Sequence, residues 1–408
     1  MTPHAVLGLG GTVDFELNWD AQTLGTLSAE LGIAEKDLVQ PVSIDSERAL
    51  VISLLCHLRD GTGGEHFVDS PAVIEQFASR FDYRVTLGGT PVRAALVMSA
   101  LGIPSTVHLV SIDDTVRQML PADVDYLCSA DHDSVDPHLI IQYPANERIS
   151  VGDSQIVTAA ANRLIYPSDQ PNRDLFLSQD LPSALKSAAV FLVSGFNSIQ
   201  ERTVLDARLE ELVAALSALP EDATTLYEDA GFHIPAFSLI ARTALAGHLD
   251  VYSLNEDELM AYSGRSVNLL DPFDVRAAVV ELHAQVDVPS VILHSKYFAL
   301  AHGPDAHNLR SALAEGVAVA GARYAFGDFL TASRIERIAS EGARSEVGVA
   351  LATQLESVDP EFVVVPALDL RDVARPTTIG LGDTFIGGTI AEMIQSRRKV
   401  QSRGKVHA

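Results

Sequence analysis

Cysteine is scarce in this chain: two residues, Cys56 and Cys128, among 408. That excludes a disulfide framework and a four-cysteine zinc site, and it suits a reducing compartment. Positive charge is scarce too. Twenty-nine Lys and Arg stand against 54 Asp and Glu, a formal net charge of −25. Such a surface repels nucleic acid and anionic membranes. It does not exclude a small anionic substrate, which responds to the local field of its own pocket. No apolar run approaches the ~18 residues of a membrane span, and the first residues lack the basic start and apolar stretch of a signal peptide. The expectation is a soluble, acidic, cytoplasmic protein with no nucleic-acid or membrane partner. Repeats of about 20–50 residues are absent, which sets aside solenoids and propellers. So are a Walker A sequence, a His-Glu-x-x-His and a Gly-x-Ser-x-Gly elbow. Gly8-Leu9-Gly10-Gly11-Thr12-Val13 opens like a dinucleotide fingerprint but has Val13 where the third glycine belongs. The 13 histidines show no metal-ligand spacing.

What the chain does have is apolar content, 47% of its residues, enough for a large core. Short apolar runs alternate with longer amphipathic segments. Strands are expected at 4–9, 83–87, 105–112, 138–143, 188–195, 224–228, 251–254, 289–294 and 362–365. Helices are expected at 46–58, 90–101, 205–216, 234–246, 274–284 and 383–394, with a frayed basic tail over 397–405. This alternation predicts an α/β fold with a mainly parallel sheet flanked by helices. The segment 113–182 breaks the rhythm with clustered Asp and Pro, and 15–80 is helical between two strands. The expected organisation is a discontinuous large domain over about 1–14, 83–112 and 183–408, with a smaller α/β lid from 15–82 and 113–182.

Two segments carry chemistry on their own residues. In Pro376-Thr377-Thr378-Ile379-Gly380-Leu381-Gly382-Asp383-Thr384, two glycines flank one residue, an Asp follows, and an apolar helix begins. Glycine lets backbone approach a ligand, and free N–H groups at a helix start suit a phosphate. An Asp there can take a proton from a substrate hydroxyl. The plainer reading makes Asp383 an N-cap. Asn255-Glu256-Asp257-Glu258 follows an expected strand, at the sheet edge where α/β proteins bind ligands, and its oxygens suit Mg²⁺. The plainer reading is a capping box.

Taken together, the sequence resembles the ADP-dependent glucokinase/phosphofructokinase family of the ribokinase-like superfamily, from about residue 10 to residue 396. The segments that carry the resemblance are Val365-Pro366, Arg375-Pro376, Gly380-Leu381-Gly382-Asp383, Ala161-Asn162-Arg163-Leu164-Ile165, Pro171-Asn172-Arg173 and Gly88-Gly89. The resemblance implies a ribokinase-like large domain with a lid. It implies Asp383 as catalytic base in an anion hole of Gly380, Leu381 and Gly382. Arg163 is the lid cation for the moving phosphoryl. Asp14, Gly88 and Gly89 hold the sugar, although Thr12 replaces the usual Asn two positions before Asp14. Glu65 matches the lid Glu that binds a sugar hydroxyl in glucokinases, and a carboxylate there disfavours a 6-phosphate. His294 and Ser295, with Gly382, belong beside the nucleotide. Glu228, Asn255 and Glu258 belong to the Mg²⁺ site, with Leu226 replacing the His of a His-x-Glu pair.

The implied reaction moves the terminal phosphoryl of Mg-bound ADP to a sugar hydroxyl, glucose first among the acceptors, with AMP as co-product. Fructose 6-phosphate as acceptor, an ATP-dependent ribokinase-type kinase, and a catalytically silent sugar- or nucleotide-binding relative are the alternatives. The expected partners are a sugar and a nucleotide, and the lid's size suggests a monomer.

Overall fold

The computed structural model describes residues 3–374 and 376–406, with side chains described as far as 400. Arg375, half of the late Arg-Pro pair, lies outside the described residues. Among these residues, nine strands form the larger sheet. In spatial order they are Phe362–Pro366, Phe298–His302, Ser290–His294, Val251–Asn255, Thr224–Glu228, Ala188–Val193, His4–Leu7, Ser105–Leu109 and Val124–Cys128. All run parallel except Phe298–His302, which is antiparallel to both neighbours. The central strands read as apolar runs because helices cover both faces: Val190, Phe191, Leu192 and Val193 are fully buried. Each such side chain contributes ~1.5–3 kcal/mol of burial.

A second sheet lies in the order Gly64–Glu65, Asn162–Pro167, Pro137–Tyr143, Thr12–Leu17 and Tyr83–Gly88. Strand Thr12–Leu17 was not expected. Its composition, Thr-Val-Asp-Phe-Glu-Leu, alternates polar and apolar residues, and both acids turn out buried. Tyr83–Gly88 pairs with it antiparallel, in the smaller sheet, whereas the expected division put residue 83 in the large domain. Val124–Cys128, expected in the lid, is an edge strand of the larger sheet. The chain therefore crosses between sheets at Gly8–Gly11 and again at Gly88–Gly89.

Those crossings need glycine. Gly89 has φ +84°, and a Cβ on it would lie 2.9 Å from Gly11 Cα. A Cβ on Gly88 would lie 2.3 Å from Asp14 Oδ2. Helix Glu47–Asp60 shows the local logic of the rest. Ser46 caps it by accepting from Ala49 N–H, Gly61 ends it in the left-handed region, and Leu50, Leu54, Leu55 and Leu58 face the core. The final helix, Leu381–Val406, runs well past the expected end at 394. At the start of the basic stretch, expected to be frayed, Arg397 donates to Thr224 Oγ1 at 2.8 Å and Arg398 to the Pro3 carbonyl at 3.1 Å; the side chains from 401 on lie outside the described residues. It packs closely on helix Thr90–Ala100, where a Cβ on Gly387 would lie 2.9 Å from Ala94 Cα. Both helices thus begin at the same place.

Candidate active site

Gly380, at φ +65°, turns the chain into the final helix, whose first residues are Leu381, Gly382 and Asp383. Thr90, first residue of the neighbouring helix, donates its hydroxyl to Asp383 Oδ1 at 2.7 Å. On the other side, Arg93 places Nε 3.6 Å from Asp383 Oδ2 and Nη2 2.8 Å from Asp14 Oδ2. Asp14 is 4% exposed and also accepts from Thr12 Oγ1 at 2.6 Å. So Asp14, Gly88, Gly89, Gly380 and Asp383, drawn from both ends of the chain, come together. Arg163, half-buried on strand Asn162–Pro167, reaches the Thr378 carbonyl at 3.4 Å and so spans from the smaller sheet to the glycine turn.

On the smaller sheet, strand pairing puts His138 beside Asp14. His138 Nε2 lies 2.8 Å from Asp169 Oδ2. Burial alone would push this imidazole down, but Asp169, then Asp14 and Glu65, outweigh it and raise it to about 9. It is an imidazolium at neutral pH. Asp169 also accepts from Asn172 N–H and Nδ2, and Asn172 Nδ2 donates to the Gly11 carbonyl at 2.9 Å. The Pro171-Asn172-Arg173 segment therefore pins the first crossing.

Glu65 lies 3.6 Å from His233 Nε2, and the His233 ring packs 4.5 Å from that of Phe67. Burial pushes the Glu65 carboxyl up, but His233, His138 and His66 together hold it below the ordinary value. His233 follows strand Thr224–Glu228, so this pair joins the two sheets.

The opposite wall is acidic. Glu228 accepts from His294 Nε2 at 2.9 Å through Oε1. Its Oε2 is buried with no hydrogen-bond partner. His294 is raised above its ordinary value: burial opposes this, and Glu228, Glu258 and Glu256 prevail. A Cβ on Gly382 would sit 3.2 Å from the His294 ring, so this pair underlies the glycine turn. Asn255 and Glu258 form the capping box of helix Glu256–Ser263. Asn255 N–H donates to Glu258 Oε2 at 2.7 Å, and Glu258 N–H donates to Asn255 Oδ1 at 3.1 Å. Glu258 is nevertheless pushed up to about 8, first by burial, then by Asp229 and Glu228. Asp229, raised by burial, accepts from the hydroxyls of Tyr252 and Tyr262.

Among the described residues, no three His, Cys, Asp or Glu side chains converge to hold a metal directly. Mg²⁺ keeps several waters and commonly takes one or two carboxylates plus substrate phosphate. The orphaned Glu228 oxygen beside Glu258 fits that mode of binding. Ser295, expected beside the nucleotide, has its hydroxyl engaged locally. Its hydroxyl donates to the Phe298 carbonyl and accepts from Tyr297 and Phe298 N–H, closing the turn between two strands.

Arg93, His138, Asp169 and His233 are site groups that no sequence motif singled out. Arg93 did leave a signal: it is the only charge in the otherwise apolar or small helix Thr90–Ala100. The other three become neighbours of Asp14 and Glu65 only through strand pairing and the join between the sheets.

Over residues 3–391 the chain matches the family described as ADP-specific Phosphofructokinase/Glucokinase conserved region. It belongs to that family. It is therefore a member of a family of ADP-dependent sugar kinases, phosphotransferases that act on a sugar hydroxyl. A phosphofructokinase from Pyrococcus horikoshii OT3, solved with AMP, is similar in structure at 14% identity, TM-score 0.79, covering 98% of this chain and 99% of that one. The last common ancestor of ADP-dependent phosphofructokinases from Methanosarcinales is similar at 18% identity, TM-score 0.74, covering 96% and 93%. An ADP-dependent kinase solved with fructose-6-phosphate and ADPβS is similar at 16% identity, TM-score 0.72, covering 96% and 93%. These likenesses show the fold. No curated protein matches the chain.

Proposed function

We propose that this chain transfers the β-phosphoryl of ADP to glucose, releasing AMP and glucose 6-phosphate. The observation that carries the reading is the convergence of Asp383, at the start of the last helix, with Asp14 and the Gly88–Gly89 turn. The sugar lies against Asp14, Gly88 and Gly89, with Glu65 accepting from a hydroxyl. Asp383 takes the proton of the attacking hydroxyl. The sugar oxygen bonds to the β-phosphorus, the bond from that phosphorus to the bridging oxygen breaks, and AMP leaves with the electron pair. The N–H groups of Leu381, Gly382 and Asp383 face the transferred group, and Arg163 adds charge from the smaller sheet. Gly382 and His294 border the nucleotide. Mg²⁺, when bound, neutralises phosphate charge; Glu228 and Glu258, with Asn255, would hold it through water. The smaller sheet acts as a lid that excludes water, so that phosphate reaches sugar and not water. We place the protein in the cytoplasm as a monomer. The thiols of Cys56 and Cys128 are free, and no helix among the described residues is long and apolar enough to cross a membrane.

A specific observation favours fructose 6-phosphate as the second reading. Arg173, 5.6 Å from the Phe67 ring centroid, has a buried Nε with no hydrogen-bond partner. A sugar phosphate would satisfy it. Purified protein with Mg²⁺ and either ADP or ATP, against glucose or fructose 6-phosphate, separates the readings. AMP formed with ADP and glucose is expected. Turnover with fructose 6-phosphate alone would replace the glucose reading, and phosphoryl transfer from ATP but not ADP would overturn the donor.

A further inference from the structure

Arg93 is the only charged residue on its helix, is 5% exposed, and lies between two carboxylates. Asp14 and Asp383 must approach the same sugar from opposite sides, and like charges converging in a dry site repel strongly. Arg93 meets both with different nitrogens of one planar fork, Nη2 toward Asp14 and Nε toward Asp383. A guanidinium fork fixes direction as well as charge, which an ammonium does not. The helix leaves it little freedom. Its first turn is held by the Gly89–Gly11 approach and by the Thr90–Asp383 hydrogen bond. The glycine turn rests on the arginine itself: a Cβ on Gly380 would lie 2.5 Å from Arg93 Cδ. One side chain therefore touches the sugar-binding carboxylate, the base and the underside of the phosphate-facing turn.

We propose that Arg93 is the positioning residue of the phosphoryl transfer. It sets the separation and orientation of Asp14 relative to Asp383, so that the hydroxyl held by one is delivered to the other. This rests on the functional reading above. Arg93 does not itself accept or donate the proton. Its loss misplaces the acceptor hydroxyl, and a misplacement of about 1 Å can cost about 100-fold in rate.

The test compares wild type, Arg93→Met and Arg93→Lys, with kcat and KM for the sugar measured alongside calorimetric Kd for ADP and for the sugar. Arg93→Met is expected to lose about 100-fold in kcat and to raise the sugar KM, with ADP affinity held within about twofold. Arg93→Lys restores charge without the fork and is expected to recover about tenfold of that loss. Wild-type kcat in Arg93→Met overturns the proposal. So does parallel loss of ADP affinity and activity, which marks a merely structural role. Where Arg93→Met does not fold, Arg93→Lys decides alone: a kcat about tenfold down with ADP Kd unchanged supports positioning, and wild-type kcat refutes it. A wild type that binds glucose but turns over neither sugar sinks the kinase reading and leaves Arg93 to be judged by sugar Kd. A tenfold rise in Arg93→Met then supports the link through Asp14, and no change overturns it. Wild type that binds neither sugar overturns both.

Discussion

On the smaller-sheet side of the site, acids face basic side chains: Asp14 meets Arg93, Asp169 meets His138, Glu65 lies 3.6 Å from His233 Nε2, and Glu16 meets Arg84 at 2.9 Å. Across from it, Glu228 meets His294, Asp229 accepts from three tyrosine hydroxyls, and Glu258, held by Asn255, is pushed up to about 8. Charge matching on one wall suits a ligand that brings no net charge and is gripped by directed hydrogen bonds. The less compensated acids on the other suit a divalent cation, such as the Mg²⁺ that accompanies a nucleotide's phosphates. The overall −25 hides this division, because it sums over surface the substrates never meet.

The largest effect is expected where the two walls meet. Asp383→Asn is expected to cut kcat by about 10²–10⁴-fold while leaving ADP affinity and the melting temperature near wild type, read by steady-state kinetics and calorimetry. On the matched wall, Asp14→Ala leaves Arg93 as a buried cation short of a partner, and urea unfolding should show about 3–5 kcal/mol lost. The effect on the unmatched wall depends on pH. Glu258 holds its proton in the folded protein up to about 8, whereas the unfolded chain releases it near 4.5. Between those values the folded state binds more protons, so stability falls as pH rises, by up to about 1.4 kcal/mol per pH unit. Glu258→Gln should flatten that slope between pH 5 and 7.5, and an unchanged slope would reject the assignment. Asn255→Ala should cost least, about 1 kcal/mol for a lost helix cap, in the same unfolding assay.

Much of the larger sheet is legible from the sequence, because parallel strands covered on both faces are continuous apolar runs such as Ala188–Val193. The smaller sheet is less so. Thr12–Leu17 carries two buried acids whose partners, Arg93 and Arg84, are far along the chain, so its polarity reads as loop. The glycine turn and Asp383 stand out because a helix start and its glycines are local features. Asn255 and Glu258 supported both a cap and a metal role, and the structure makes the cap explicit while leaving Glu228 with a spare oxygen. Arg93, His138 and His233 depend on which strands and loops meet, which single-chain periodicity does not encode.

Thr90 and Asp383 lie 293 positions apart yet share one hydrogen bond. Chains emerge from the ribosome N-terminus first, at about 5–20 residues per second. The whole smaller sheet, Asp14 and Arg93 have been synthesised by Pro167, while Asp383 and its glycine turn come with the last helix. For most of its synthesis the nascent chain holds Asp14 and Arg93 without Asp383, and the proposed site is complete only when the final helix docks.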